Sequence, residues 1–167
     1  MASAAKFDAL RSAIYHTSRR GFLELCSRLL NLVVVFSGTV AAADLGLLVG
    51  LDESQKWFAF AAALAGLFQL AFDPAGLART HEFLQRRFYE ILAEMAEKSK
   101  PTESDEARWK GALFRLYAEE KPPLRALDAI SYNAAAESLG YGKDKLITIR
   151  WWHTALSQVM PFNGTSF

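Results

Sequence analysis

Leu29 to Leu51, LLNLVVVFSGTVAAADLGLLVGL, is the stretch on which the reading of this sequence turns. Its 23 residues hold one charge, Asp44. As a helix it would reach roughly 35 Å, enough to cross the hydrocarbon of a bilayer. After only Asp52 to Lys56, a second uncharged run, WFAFAAALAGLFQLAF, occupies Trp57 to Phe72. This run spans roughly 24 Å as a helix, and Ala75 to Ala78 can prolong it past Asp73 and Pro74. A run of that length also suits the core helix of a soluble protein. Two adjacent spans on so short a loop favour a membrane hairpin, with spans at 29–51 and 57–78.

Apolar and charged residues are segregated along the chain. Of its 167 residues 51% are hydrophobic and 22% charged, so one part must be apolar and another wet. A net charge of +1 gives no general attraction for nucleic acid, and no nucleic-acid partner is expected. Cys26 is the single cysteine, which excludes an intrachain disulfide and a thiolate metal cluster within one chain.

The basic residues predict an orientation. Arg11, Arg19, Arg20 and Arg28 precede the first span, Arg79, Arg86, Arg87 and Lys98 follow the second, and the connecting loop offers Lys56. This bias places both termini on the cytoplasmic side. A competing reading takes Ser18-Arg19-Arg20-Gly21-Phe22-Leu23 as a twin-arginine export signal and Ala41-Ala42-Ala43 as its cleavage site, so that the mature chain starts near Asp44. Glu24 and Arg28 interrupt the apolar region such a signal requires.

The flanks read as amphipathic helices. Within 1–28, Phe7, Leu10, Ile14, Gly21, Leu25 and Arg28/Leu29 follow three- and four-residue steps. Beyond the hairpin, Leu77, Leu84, Phe88, Ile91 and Met95 do the same, with Arg86, Arg87, Glu90 and Glu94 for the wet faces. The two stripes are expected to pack on each other. Asp73-Pro74 suits a helix restart, aspartate as N-cap and proline at the first helical position. Thr102 and Asp105 have capping-box spacing before a helix with Trp109, Leu113, Leu116 and Tyr117 on its apolar face. Pro122-Pro123 ends that helix, and another from Leu124 to about Leu139 closes at Gly140. The tail from Lys145 to Phe162, with Trp151 and Trp152, can pack on these helices or lie at the membrane interface, which is favoured. The expected fold is an all-α membrane protein, a two-helix transmembrane hairpin extended into a cytoplasmic helical bundle at 79–167.

Each predicted span carries a seam of small and polar residues. Ser37, Ala41 and Asp44 recur on the first, and Ala62, Gly66, Gln69 and Asp73 on the second. Such seams are helix interfaces in membranes, and an aspartate in hydrocarbon turns toward protein or water. Packing within one hairpin and lining of a pore are both open.

No catalytic, cofactor or metal set emerges. His16, His81 and His153 are far apart in sequence, without zinc-ligand spacing, and read as ordinary surface or capping residues. Gly140-Tyr141-Gly142-Lys143 fails as a phosphate loop, because Glu137 and Asp144 stand where glycine and a hydroxyl are needed. Arg125 and Asp128 are spaced to pair on one helix face, as a surface ion pair or to fix the Pro122-Pro123 turn against the long helices.

The hairpin, Ala78-Arg79-Thr80-His81 running to Arg86-Arg87-Phe88, Glu119-Glu120-Lys121-Pro122-Pro123, Arg125-Ala126-Leu127-Asp128, Asn133 and Gly140-Tyr141 together resemble the SLATT group of bacterial two-transmembrane effector domains. The resemblance implies a homo-oligomeric effector in the inner membrane, working in antiviral defence or conflict systems. It would perturb or permeabilise the bilayer beside a sensor or nucleotide-signal synthase encoded nearby. A membrane-anchored adaptor or scaffold without pore activity is the alternative.

Overall fold

A computed structural model describes residues 4–42, 55–165 and 167, and every regular element among them is helical. In chain order these are α1 (Ala4–Ala42), α2 (Gln55–Phe72), α3 (Pro74–Glu97), α4 (Glu103–Glu119), α5 (Arg125–Ser138), a 3-10 turn (Lys143–Lys145) and α6 (Trp151–Leu156). They make two compact units, the first from residues 1–19 and 80–167, the second from Arg20–Arg79. Both α1 and α3 run through a unit boundary. The predicted border at 28/29 falls inside α1, where Ser27-Arg28-Leu29-Leu30 has neither glycine nor proline to stop a helix.

Three helices share the core of the first unit. Ala5, Ala9 and Ala13 of α1 meet Leu84, Phe88, Ile91 and Met95 of α3 and Trp109, Leu113 and Leu116 of α4. The stripes predicted on α3 and α4 are therefore the buried ones, with Leu77 and Tyr117 at their half-buried margins. On α1 the expectation was wrong. Phe7, Leu10 and Ile14 are half-buried flanks, Gly21, Leu25, Arg28 and Leu29 are exposed, and the buried line is Ala5, Ala9, Ala13 and His16. Methyl side chains let α1 approach closely enough for Phe88, fully buried, to reach under it.

Local signals set the other helix ends. Thr102 Oγ1 accepts from the Asp105 N–H at 3.2 Å and Asp105 Oδ2 accepts from the Thr102 N–H at 3.1 Å, a complete capping box on α4. Lys98 adds an ion pair to Asp105 at 2.6 Å. These contacts, Lys98 foremost, hold the Asp105 carboxyl below the ordinary carboxylate range. At the end of α5, Tyr141 N–H bonds Ala136 O and Gly140 N–H bonds Glu137 O, with Gly140 at φ 74°. That is a Schellman closure, and a side chain there would strain the left-handed turn.

In the second unit α1 and α2 lie side by side and antiparallel. Phe36 meets Phe58 edge to face at 6.0 Å, and the Gln69 amide donates to Asn31 at 3.0 Å. Between α2 and α3, Asp73 sits at φ 38° and its Oδ1 caps the Gly76 N–H at 2.9 Å, as its place before Pro74 predicts. Gly76 leaves room for this cap, because a Cβ there would land against the Asp73 carboxylate and displace it.

Two helical stretches, Ala4–Ala41 and Lys56–Glu97, each contain an 18-residue window of mean hydropathy 1.5 of which 11% is buried. Both are long and apolar enough to cross a membrane. The predicted loop residues 52–54 lie outside the described ones.

Two substitutions test these ends. Gly140→Ala should cost about 1–2 kcal/mol, the ordinary penalty of a side chain in the left-handed region, read as a lower melting temperature in detergent. Gly76→Ala should displace the Asp73 cap and cost about 1 kcal/mol, with Asp73→Gly no worse because it also relieves the positive φ. Equal stability of Gly76→Ala and the parent would show that the cap is dispensable.

Candidate functional site

The predicted seam lies in the second unit. Ser37 is buried, Ala41, Ala62, Gly66 and Gln69 are half-buried, Asp73 is exposed as a helix cap, and Asp44 lies outside the described residues. Gln69 is engaged with Asn31. The most buried residue of α2 is Ala65, which the predicted steps pass beside. A Cβ added at Gly38 or Gly66 would meet nothing within 4 Å. The hairpin closes on Ser37, Ala65 and the Asn31–Gln69 bond and leaves open space at its glycines.

The motif around Pro122 and Pro123 lies in the first unit. Both prolines are exposed, and the next residue, Leu124, donates its N–H to the Tyr15 hydroxyl at 3.0 Å. Burial raises the Tyr15 pKa, so the phenol is neutral. Asp128 takes a two-pronged bond from Arg11, with Nε to Oδ1 at 2.7 Å and Nη2 to Oδ2. Of the two readings left open for Arg125 and Asp128, the surface pair gives way to this long-range bond of Asp128, because α5 turns Asp128 toward α1 while Arg125 stays exposed. A fork-to-fork pair of this kind fixes orientation as well as adding energy. It borders a cavity of about 300 Å3, lined also by Asp8, Tyr117 and Glu120.

Two histidines expected as ordinary surface or capping residues come together here. His16, 2% exposed, places Nδ1 at 2.7 Å from His81 Nδ1 and Nε2 at 3.1 Å from Glu120 Oε1. Phe88 stacks on His16 with centroids 5.6 Å apart, and Tyr15 lies edge-on to it at 5.3 Å. Burial, then the charges of His16, Arg19 and Lys121, push the His81 pKa down to about 4. An unfolded chain takes up a proton near pH 6.5 that the folded one refuses. Stability present above that pH is therefore lost as pH falls toward 4. Helical spacing marked neither residue, since His16 and His81 are 65 positions apart.

The tail packs within the first unit. Asn133 brackets Ile147 with two 2.8 Å backbone bonds, Arg125 N–H reaches Pro161 O at 3.4 Å, and Gln158 bonds both Arg19 and Ser18. His153 is buried against Trp152, Phe162 and Phe167. Polar backbone and amide bonds, which apolar composition does not encode, hold this docking. Trp151, Val159 and Met160 remain exposed on the docked tail.

No family model, curated protein or solved structure matches this chain.

A double-mutant cycle tests the long-range pair. Asp128→Asn and Arg11→Met should each destabilise the protein, and the double variant should lose less than their sum. The expected coupling is about 0.5–1.5 kcal/mol, since both side chains are only half-buried. Strict additivity in denaturant unfolding would make the pair a surface ornament.

Proposed function

We propose that this chain is a two-pass inner-membrane effector with both termini in the cytoplasm, which oligomerises and perturbs or permeabilises the bilayer. Exposure carries the membrane part of this reading. Leu32, Val35, Phe36, Trp57, Phe60, Leu67 and Leu70 are each at least 60% exposed within the second unit. Large apolar side chains exposed in that number are unfavourable in water, at about 25 cal/mol per Å2 of apolar surface, and are solvated in lipid. The helical backbones bond internally, as a lipid environment demands. Arg19, Arg20 and Arg28 before the hairpin and Arg79, Arg86 and Arg87 after it support cytoplasmic termini.

Assembly of several copies is supported by the open space beside Gly38 and Gly66, where another helix can approach. The SLATT resemblance supplies the effector class and the expectation of a nearby sensor or nucleotide-signal synthase. An anchored adaptor or scaffold is the second reading. It is favoured by one observation: Ser37 and Gln69, polar residues that a pore wall would use, are engaged inside one hairpin.

Reporter fusions at the N-terminus and after Lys100 should both report cytoplasm, and one at Glu53 the opposite side. An external Lys100 would overturn the topology. In liposomes the protein should release a small dye, and Gly66→Leu should insert normally while losing assembly by cross-linking and at least tenfold in leakage rate. Insertion and assembly without leakage from the parent protein would leave the scaffold.

A further inference from the structure

The two histidines meet where the chain passes between units. His16 lies four residues before the second unit begins at Arg20, and His81 two residues after it ends at Arg79. Their contact ties α1 to α3 just where both helices continue into the hairpin segment. We propose that the His16–His81 pair is an acid-operated clip between α1 and α3, closed while it carries at most one extra proton and open when it carries two.

Proton counting gives the rule. An Nδ1···Nδ1 distance of 2.7 Å requires one hydrogen between the rings. Ionised Glu120 only accepts, so His16 Nε2 carries a hydrogen toward it. Neutral His16 then accepts at Nδ1 from the Nδ1–H of His81. One further proton on the pair as a whole still leaves a single hydrogen between the two Nδ1 atoms, so the contact is kept. A second extra proton puts hydrogens on both Nδ1 atoms. The contact then becomes donor against donor, between two cations, and cannot persist.

The surroundings sharpen this response. Arg19 on α1 and Lys121 on the α4–α5 connection add positive charge, and Glu120 supplies the facing negative charge. Tyr15 on α1 and Phe88 on α3 close the site with neutral rings. His81 is partly exposed and so reachable by protons, whereas His16 is sealed until the rings part. Release would part α1 from α3 locally around His16 and His81, while Ala5, Ala9 and Ala13 stay packed on Leu84, Phe88, Ile91 and Met95. Its consequence for the hairpin rests on the membrane reading above, but the clip can be tested without that reading.

The test is hydrogen exchange of the full-length protein in detergent, between about pH 7.5 and 4, corrected for the intrinsic pH dependence of exchange. Residues 12–19 and 80–88 should lose protection together, by about tenfold per pH unit on the acid side, as one net proton is taken up on opening. Glu120→Gln weakens the singly protonated closed state and should move the loss to higher pH. His81→Gln removes the second proton site and should abolish it. Protection retained to pH 4, or an unchanged acid loss in His81→Gln, would overturn the clip. Should His81→Gln fail to fold, imidazole nitrogen NMR of the parent protein decides. At neutral pH one Nδ1 should be protonated and the other bare, and two bare Nδ1 atoms would refute the pairing.

Discussion

Helix α1 has to satisfy two different surroundings along a single axis, and the rest of the structure follows from that demand. Near its start it shows a line of alanines ending at His16 to the core of the first unit. Past Arg20 it shows leucines, valines and Phe36 outward, with only Leu23 and Ser37 buried among the described residues. Its backbone is continuous, so no turn separates the two regimes. The change is made by side chains alone, and the partners of α1 change with it.

The alanine line explains the shape of the first unit's core. Small side chains on one helix let large ones from its neighbours fill the space, and Phe88 is the residue that does so, with His16 stacked on its ring. Once α1 sits that close, polar groups along it meet distant parts of the chain. Arg11 finds Asp128, Tyr15 finds the Leu124 N–H, His16 finds His81 and Glu120, and Ser18 and Arg19 find Gln158. These contacts climb α1 in order, holding the start of α5, then α3 and the α4–α5 connection, and last the tail. Along the α4–α5 connection and the start of α5, the residues that α1 holds are Glu120, Leu124 and Asp128.

The second unit follows a simpler rule. Its helices bond their own backbones, pack through small residues and one amide pair, and turn large apolar side chains outward. The Asp73-Pro74 junction then sets the start of α3, with an aspartate cap that a glycine three residues on makes room for. Charge returns to the surface of α3 with Arg79, and at Phe88 the helix packs in the core of the first unit.

Sequence by itself determined the elements whose signals are local. Apolar length marked the two candidate spans, the Thr102–Asp105 spacing marked the start of α4, Asp73-Pro74 marked a restart and Gly140 a stop, because each depends on neighbours within one or two turns. Periodicity also found the buried faces of α3 and α4. It failed on α1, since a rule that seeks large apolar residues passes over alanines, whose value lies in how near they let another helix come. The Arg11–Asp128 fork, the clamp of Asn133 on Ile147 and the meeting of His16 with His81 and Glu120 were decided by the tertiary structure alone. Each joins residues tens of positions apart or lies in an irregular segment, and such pairings depend on how helices are rotated against one another, which no local pattern encodes.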